Sequence, residues 1–346
     1  MKQISINGIR LGRKMLQLDQ AMIPGQPSVP VYETLSCHRI NMVCAGLHHC
    51  GTAFLFSCCL EAKHKDHAAQ ILGCPADLPD VCMVSIYPHH GNIQVPGVLM
   101  QLLGRAGIRF FHLVSSHAVV CVVIETKDQD AVISLVESVF DLPPSHTPYC
   151  QEIEEDITRF LQKYPETRAF YVEEKIKTYG IQVRAGLDLH QVTCTRSAVA
   201  DAGEQMCRMG GSDKKFHLVS AMPGPEQGYE LFVVTDPGAA IPDMDPGSAA
   251  GETGPTQIIS DRMEMAPGNQ DLFFDGTPLM TVDLISFHGP HFGDRYKILG
   301  TAMDCLKQDH VPVLVAGCTG ASISLAVPYG QGKAAQNALA KGFEAP

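Results

Sequence analysis

The sequence predicts an α+β fold made of four related units, and three observations carry that prediction. The string FHLVS occurs twice, at Phe111 to Ser115 and at Phe216 to Ser220. Each copy opens a hairpin: a first strand, a polar or Pro/Gly break, then a β-branched second strand ending near Thr126 or Thr235. Two more stretches fit the same template, from Asn41 and from Val311, so the hairpin occurs four times in 346 residues.

The elements around the hairpins follow in order. Before the second hairpin, Val98, Leu99, Leu102, Leu103 and Ala106 share one face at helical spacing, with Pro96 suited to the first turn and Gly107 to the exit. Before the fourth, Ile298, Leu299, Ala302, Cys305 and Leu306 do the same. A strand precedes each helix, VCMVSIY from Val81 and MTVDLISF from Met280. After the second hairpin, Val132, Leu135, Val136 and Val139 align on a further helix with Asp128 as its expected N-cap. The order strand, helix, hairpin, helix is that of a split βαβ sandwich short of one closing strand.

The repeat has a hierarchy. The second and fourth units superpose from Ser85 and Ser286 without a gap, setting His90 opposite His291 and Leu113 opposite Leu314. The first and third match at their starts, with Gly8 opposite Gly180. The predicted organisation is unit 1 over 1–76, unit 2 over 77–146, a linker helix over 147–170, unit 3 over 171–236, a flexible linker over 237–272 and unit 4 over 273–346. The linker helix rests on Ile153, Ile157, Phe160 and Leu161; the Pro/Gly/Ala-rich second linker stands where unit 3 needs its second helix. Units that each leave an apolar face or edge are expected to pair, within the chain or as a homo-oligomer.

Composition narrows the function classes. A net charge of -11 argues against a nucleic-acid partner, because phosphate neutralisation needs clustered Lys and Arg. No apolar run reaches membrane-spanning length and no signal-peptide pattern opens the chain, so no membrane association and a cytoplasmic location are expected. The thirteen cysteines sit mostly in apolar strand runs and read as reduced thiols. No cofactor is expected. The GQGKAAQ segment misses the phosphate-loop pattern, since Val327 holds the first glycine position and Ala334 the Ser/Thr position.

Residues INGIR, TYGIQ and above all SFHGPHFGDRYKILGTAM resemble the regulatory half of aspartokinases, which is built from paired ACT domains. The resemblance covers nearly the whole chain twice over. It implies ferredoxin-like βαββαβ units in two pairs, antiparallel sheets with helices on one face, and an amino acid or similar small effector bound at domain interfaces. The amino-acid-kinase domain of that family, with its Lys-Phe-Gly-Gly strand-loop, has no counterpart segment here. The expectation is therefore a regulatory protein that is not an enzyme and that acts on itself or on a partner enzyme of amino-acid metabolism, or else a regulatory fragment or subunit of an aspartokinase-type enzyme.

The loop from a unit's first strand to its first helix brings backbone N–H groups to a helix N-terminus, where a carboxylate binds well. In unit 4 this loop holds Gly289, His291, Gly293, Asp294 and Arg295, with the glycines for close approach, Arg295 for a carboxylate and Asp294 for an ammonium group or as the helix N-cap. In unit 2 the corresponding residues are His90, Gly91, Asn92 and Gln94, and Ser115 and Gly317 are expected to close the pocket from the hairpin side. An alternative reading is a zinc or nickel sensor using Cys44, His48, His49, Cys50, His64 and His67, with the last two placed at a strand end.

Overall fold

Alternating apolar residues form strands and the helical stripes form helices in the computed structural model of the chain. It describes residues 4–23, 29–50, 53–73, 78–144, 149–150, 175–209, 214–224, 228–238, 272–273, 278–290, 292–293 and 295–344. The first hairpin is β4 (Met42–Cys50) with β5 (Ala53–Glu61), the second β7 (Phe110–Ser115) with β8 (Val120–Glu125). The third is β13 (Phe216–Pro223) with β14 (Tyr229–Thr235), and the fourth β17 (Val315–Cys318) with β18 (Ser322–Pro328). A helix precedes each: α1 (Val31–Cys37), α3 (Gln94–Arg105), α5 (Val199–Met209) and α6 (Ile298–Gln308). Helices α2 (Lys65–Leu72), α4 (Gln129–Val139) and α7 (Gly332–Leu339) follow the first, second and fourth hairpins. Among the described residues this gives a mixed α/β fold of seven α-helices, one large, mainly antiparallel sheet and two two-stranded parallel sheets.

Local expectations meet this structure in detail. Helix α3 buries Val98, Leu99 and Leu103, and Gly107, at φ 66°, ends it in the left-handed region. Asp128 occupies the N-cap position of α4 without making a side-chain cap bond. His64 and His67 are not at a strand end: His64 lies in the turn leading into α2 and His67 in its first turn. Ala68 is buried along α2 and Gly73 closes it at φ 62°. The linker helix predicted over 147–170 and most of the linker over 237–272 lie outside the described residues.

The closing strands come from long neighbouring strands. Residues β2 (Gly8–Leu11) pair with β6 (Asp80–Tyr87), while the continuation β3 (Met15–Met22) pairs with β5. Likewise the N-terminal half of β12 (Ile181–Cys194) pairs with β16 (Met280–His288) and its C-terminal half with β14. Each of these stretches of chain therefore pairs with two different strands of the large sheet.

Edge pairing joins the two halves of the chain. β4 pairs antiparallel with β17, setting Gly46 opposite Gly317, and β7 pairs antiparallel with β13, setting Val114 opposite Ser220. The strand path closes on itself where β8 meets β6. The hairpins that share an edge are thus the first with the fourth and the second with the third.

Helices cover the outer faces. Crossing of α3 over α5 is close: a Cβ on Gly203 would lie 2.5 Å from the Gly97 carbonyl oxygen and 2.7 Å from the Gln101 nitrogen. On the other side α1 meets α6, where a Cβ on Gly300 would lie 2.7 Å from Ser36 Oγ. Within this closed sheet, Leu187, Leu218, Phe232, Leu284 and Val315 form one cluster, and Met15, Cys44, Phe111 and Val123 another. The GQGKAAQ turn has a structural explanation. Buried Asp283 accepts hydrogen bonds from the backbone N–H groups of Gly330 (3.0 Å) and Gly332 (2.8 Å), fixing the start of α7.

Candidate functional site

The loop from β16 to α6 lies where the β4–β17 edge pair ends. A shallow cleft, open to solvent, is walled there by Phe292, Arg295, Ile298 and Leu299 from the loop and helix, by Cys318 at the end of β17 and by Gly320 beyond it. Asn41 and Met42, from the first half of the chain, form the opposite wall. The amide Nδ2 of Asn41 donates to the Gly293 carbonyl at 2.6 Å, tying the walls together. Gly320 is required by its surroundings, since its φ is 78° and a Cβ would lie 2.5 Å from the Val43 carbonyl oxygen.

Chemically the cleft is apolar with cationic groups. Phe292, Ile298, Leu299 and Cys318 are buried, and the side chains of Arg295 and Lys297 add two positive charges to the lining. Among the described lining residues none is acidic. Lys297 stands at the N-cap of α6 in the left-handed region, φ 70°, a backbone conformation that costs energy for a non-glycine residue. Burial pushes the Cys318 thiol up to about 12, so it stays protonated in the wall. The lining thus sets positive charge beside apolar surface.

Of the residues expected in unit 4, Arg295 lines this cleft, and Gly293 borders it through its bond to Asn41. Gly289 instead serves packing: a Cβ there would lie 2.3 Å from the Lys177 carbonyl oxygen. His291 and Asp294 lie outside the described residues. The N-cap position of α6 belongs to Lys297. Asn41, Met42 and Lys297 went unrecognised in the sequence, because the first two are brought in by a long-range strand pairing.

The matching loop of unit 2 is filled from within. His89, not His90, is the buried imidazole: Gly91 N–H donates to its Nδ1 at 2.9 Å, and its Nε2 bonds the Ser116 carbonyl at 2.9 Å. The Nδ1 acceptor role fixes a neutral ring, and burial pushes its pKa down to about 4. Asn92 N–H donates to the His89 carbonyl and Gln94 N–H to Asn92 Oδ1, so these amides are committed inside the loop. Gly91 is covered by Lys215, whose Cβ would lie 3.0 Å from a Cβ on the glycine, and its carbonyl accepts the Phe216 N–H. His90 projects from this loop as an exposed residue.

Ser115 and Gly317 are at neither loop, which corrects their expected place in a pocket wall. Ser115 Oγ accepts the Val219 N–H at 2.8 Å within the β7–β13 junction. Gly317 packs against β7, where a Cβ would lie 2.8 Å from Val114 Cγ2. Both belong to the middle of the molecule.

Nor are the six candidate metal ligands brought together. Successive strand residues point to opposite faces, so His48 faces inward, its Nε2 2.8 Å from Ser220 Oγ, while His49 stacks on Phe54. Cys44 also points inward, its Sγ 3.6 Å from His112 Nδ1, and Cys50 packs partly buried beside the inner cluster of the second half. His64 and His67 stand apart, beyond the end of β5. Among the described residues no three His, Cys, Asp or Glu side chains are gathered as a metal ion requires. Nor is any described helix long and apolar enough to cross a membrane.

No protein-family model matches the chain, and no curated protein matches it. Among solved structures, the chain is similar to aspartate kinase from Synechocystis, with TM-score 0.67 and 12% identity over 99% of this chain and 56% of that one. The chain thus spans little more than half of that kinase's length. The ligand-free regulatory subunit of aspartate kinase from Thermus thermophilus matches at TM-score 0.34 and 18% identity, over 40% of this chain and 99% of that one. The corresponding subunit from Thermus flavus gives the same values, 0.34, 18%, 40% and 99%. The expectation that the chain is not an enzyme is overturned, because the structure matching it along 99% of its length is that of an enzyme. At 12% identity the likeness defines architecture: the chain has an aspartokinase-like fold.

Proposed function

We propose that the chain is an effector-responsive protein of the aspartokinase-like kind, in which four ACT-type units bounded near residues 76, 146, 171, 236 and 273 form two side-by-side pairs. On this reading a small carboxylate-bearing effector, an amino acid first of all, is held in the β4–β17 cleft. It changes the activity of the protein itself or of a partner enzyme of amino-acid metabolism. The observation that carries this reading is the cleft's position: its walls come from Asn41 and Met42 of one half and Phe292, Arg295, Lys297, Ile298 and Leu299 of the other, so that two cations stand beside apolar surface. A guanidinium pairs well with a carboxylate, and a ligand spanning two units shifts their arrangement by its differential affinity, typically ~1 to 3 kcal/mol.

A thermal-shift panel of the common amino acids tests this. One of them is expected to raise the melting temperature, at one hundred times its dissociation constant adding ~2.7 kcal/mol. Arg295→Ala is expected to weaken that binding by about tenfold or more, equivalent to ~1.4 kcal/mol, while His90→Ala leaves it unchanged. A flat panel, or full affinity in Arg295→Ala, contradicts the reading. A second reading, an aspartokinase-related catalytic role, is favoured by the likeness that runs along 99% of the chain. Aspartate-dependent release of ADP from ATP checks it.

A further inference from the structure

We infer that His38 and His67 form a surface site for a divalent late first-row metal ion, Zn²⁺, Ni²⁺ or Cu²⁺, which ties the end of α1 to the start of α2. His38 is the C-cap residue of α1 and His67 lies in the first turn of α2, and both are exposed. Their ring centroids are 5.4 Å apart with planes at 86°.

That spacing is within the range of an ordinary edge-to-face ring contact, and it is also close to the one two imidazoles take on a shared metal. A metal–nitrogen bond of about 2.0–2.1 Å puts each imidazole centroid about 3.2 Å from the ion, and a tetrahedral angle of about 109° then separates the centroids by about 5.2 Å. Two imidazoles are borderline-soft donors, matching zinc, nickel and copper rather than magnesium or calcium. His64 stands near enough to His67 for their charges to act on each other. Because no three donors are gathered among the described residues, the site is a two-imidazole one completed by water.

The location gives the site a physical consequence. Helix α1 packs against α6 through Ser36 and Gly300, and the first turn of α6 carries Ile298 and Leu299 of the cleft. A metal clamp between α1 and α2 therefore stiffens the support behind that wall. The site does not depend on what the cleft binds.

Calorimetric titration of the full chain with Ni²⁺ tests the inference. One Ni²⁺ per chain is expected to bind, and His38→Gln and His67→Gln are each expected to remove that binding while His90→Gln does not. Both substituted side chains are exposed, so the metal-free melting temperature is expected to stay at the parent value. Without any substitution, Ni²⁺ is expected to protect His38 and His67 from diethyl pyrocarbonate more than the other exposed histidines. Absence of Ni²⁺ binding, binding that survives in both variants, or protection centred on other histidines overturns the site.

Discussion

Replacing Gly203 by leucine is expected to cost more than about 4 kcal/mol, enough to unfold most of the population of a chain of ordinary stability. The reason is the α3–α5 crossing, where the two helix backbones meet with nothing between them. A Cβ on Gly203 already meets the Gly97 carbonyl oxygen at 2.5 Å, and one on Gly104 meets the Ala200 nitrogen at 2.5 Å. These neighbours are backbone atoms inside helices and have no rotamer by which to give way. Even alanine at 203 is expected to cost about 2–4 kcal/mol through overpacking. Gly293 is the control: the nearest atom to its added Cβ is 4.0 Å away, so Gly293→Ala is expected to change stability by less than about 0.5 kcal/mol. Urea unfolding of the three variants measures the contrast, and equal midpoints contradict the packing argument.

Acidification is expected to weaken the fold over a defined window. His48 is fully buried; that burial, reinforced by neighbouring His112, holds its pKa well below the ordinary 6.5. Burial likewise takes His89 down to about 4. A histidine that is neutral when folded and titrates normally when unfolded binds more protons in the unfolded state below pH 6.5. Stability is therefore fully present above the unfolded pKa and falls as pH drops toward the folded one. For the two groups together the loss between about pH 7.5 and about pH 5.5 is about 2–3 kcal/mol. Glu230 acts with the opposite sign, because burial raises its pKa above the ordinary 4.5 and protonation relieves its buried charge. Urea midpoints across that window are expected to fall with pH, and His48→Gln is expected to flatten the slope while lowering stability at neutral pH. A pH-independent midpoint in the parent protein contradicts neutral burial of these rings.

What was legible in the sequence is what local periodicity controls. Alternation marked all four hairpins, and the apolar stripes of α3, α4 and α6 marked those helices. The β2–β3 and β12 stretches were not legible as shared strands, because which partner each half takes depends on residues far away in the chain. The same holds for edge pairing. Sequence likeness groups the second unit with the fourth, yet β7 pairs with β13 and β4 with β17.

The site divides in the same way. Arg295 was visible as a cation in a glycine-bearing loop, whereas Asn41 and Met42 reach the cleft only through the β4–β17 ladder. In the PHHG loop, two adjacent histidines look alike until burial separates them, and the buried one, His89, consumes the N–H of Gly91. Gly317 carries the signature of a ligand-approach glycine, but its missing side chain makes room for Val114 of β7 and Leu218 of β13. A glycine opposite a glycine, as Gly46 and Gly317 stand, marks close approach of packed strands as readily as close approach of a ligand.

An amino-acid effector held as proposed sits where the two halves of the chain meet along β4 and β17. Hydrogen–deuterium exchange, with and without the amino acid that gives the largest thermal shift, tests it most directly. Added protection is expected to concentrate at residues 41–43, 292–299 and 318–320, drawn from both halves at once. Protection confined to the loop at 88–94, or spread evenly with no focus at the β4–β17 junction, contradicts it.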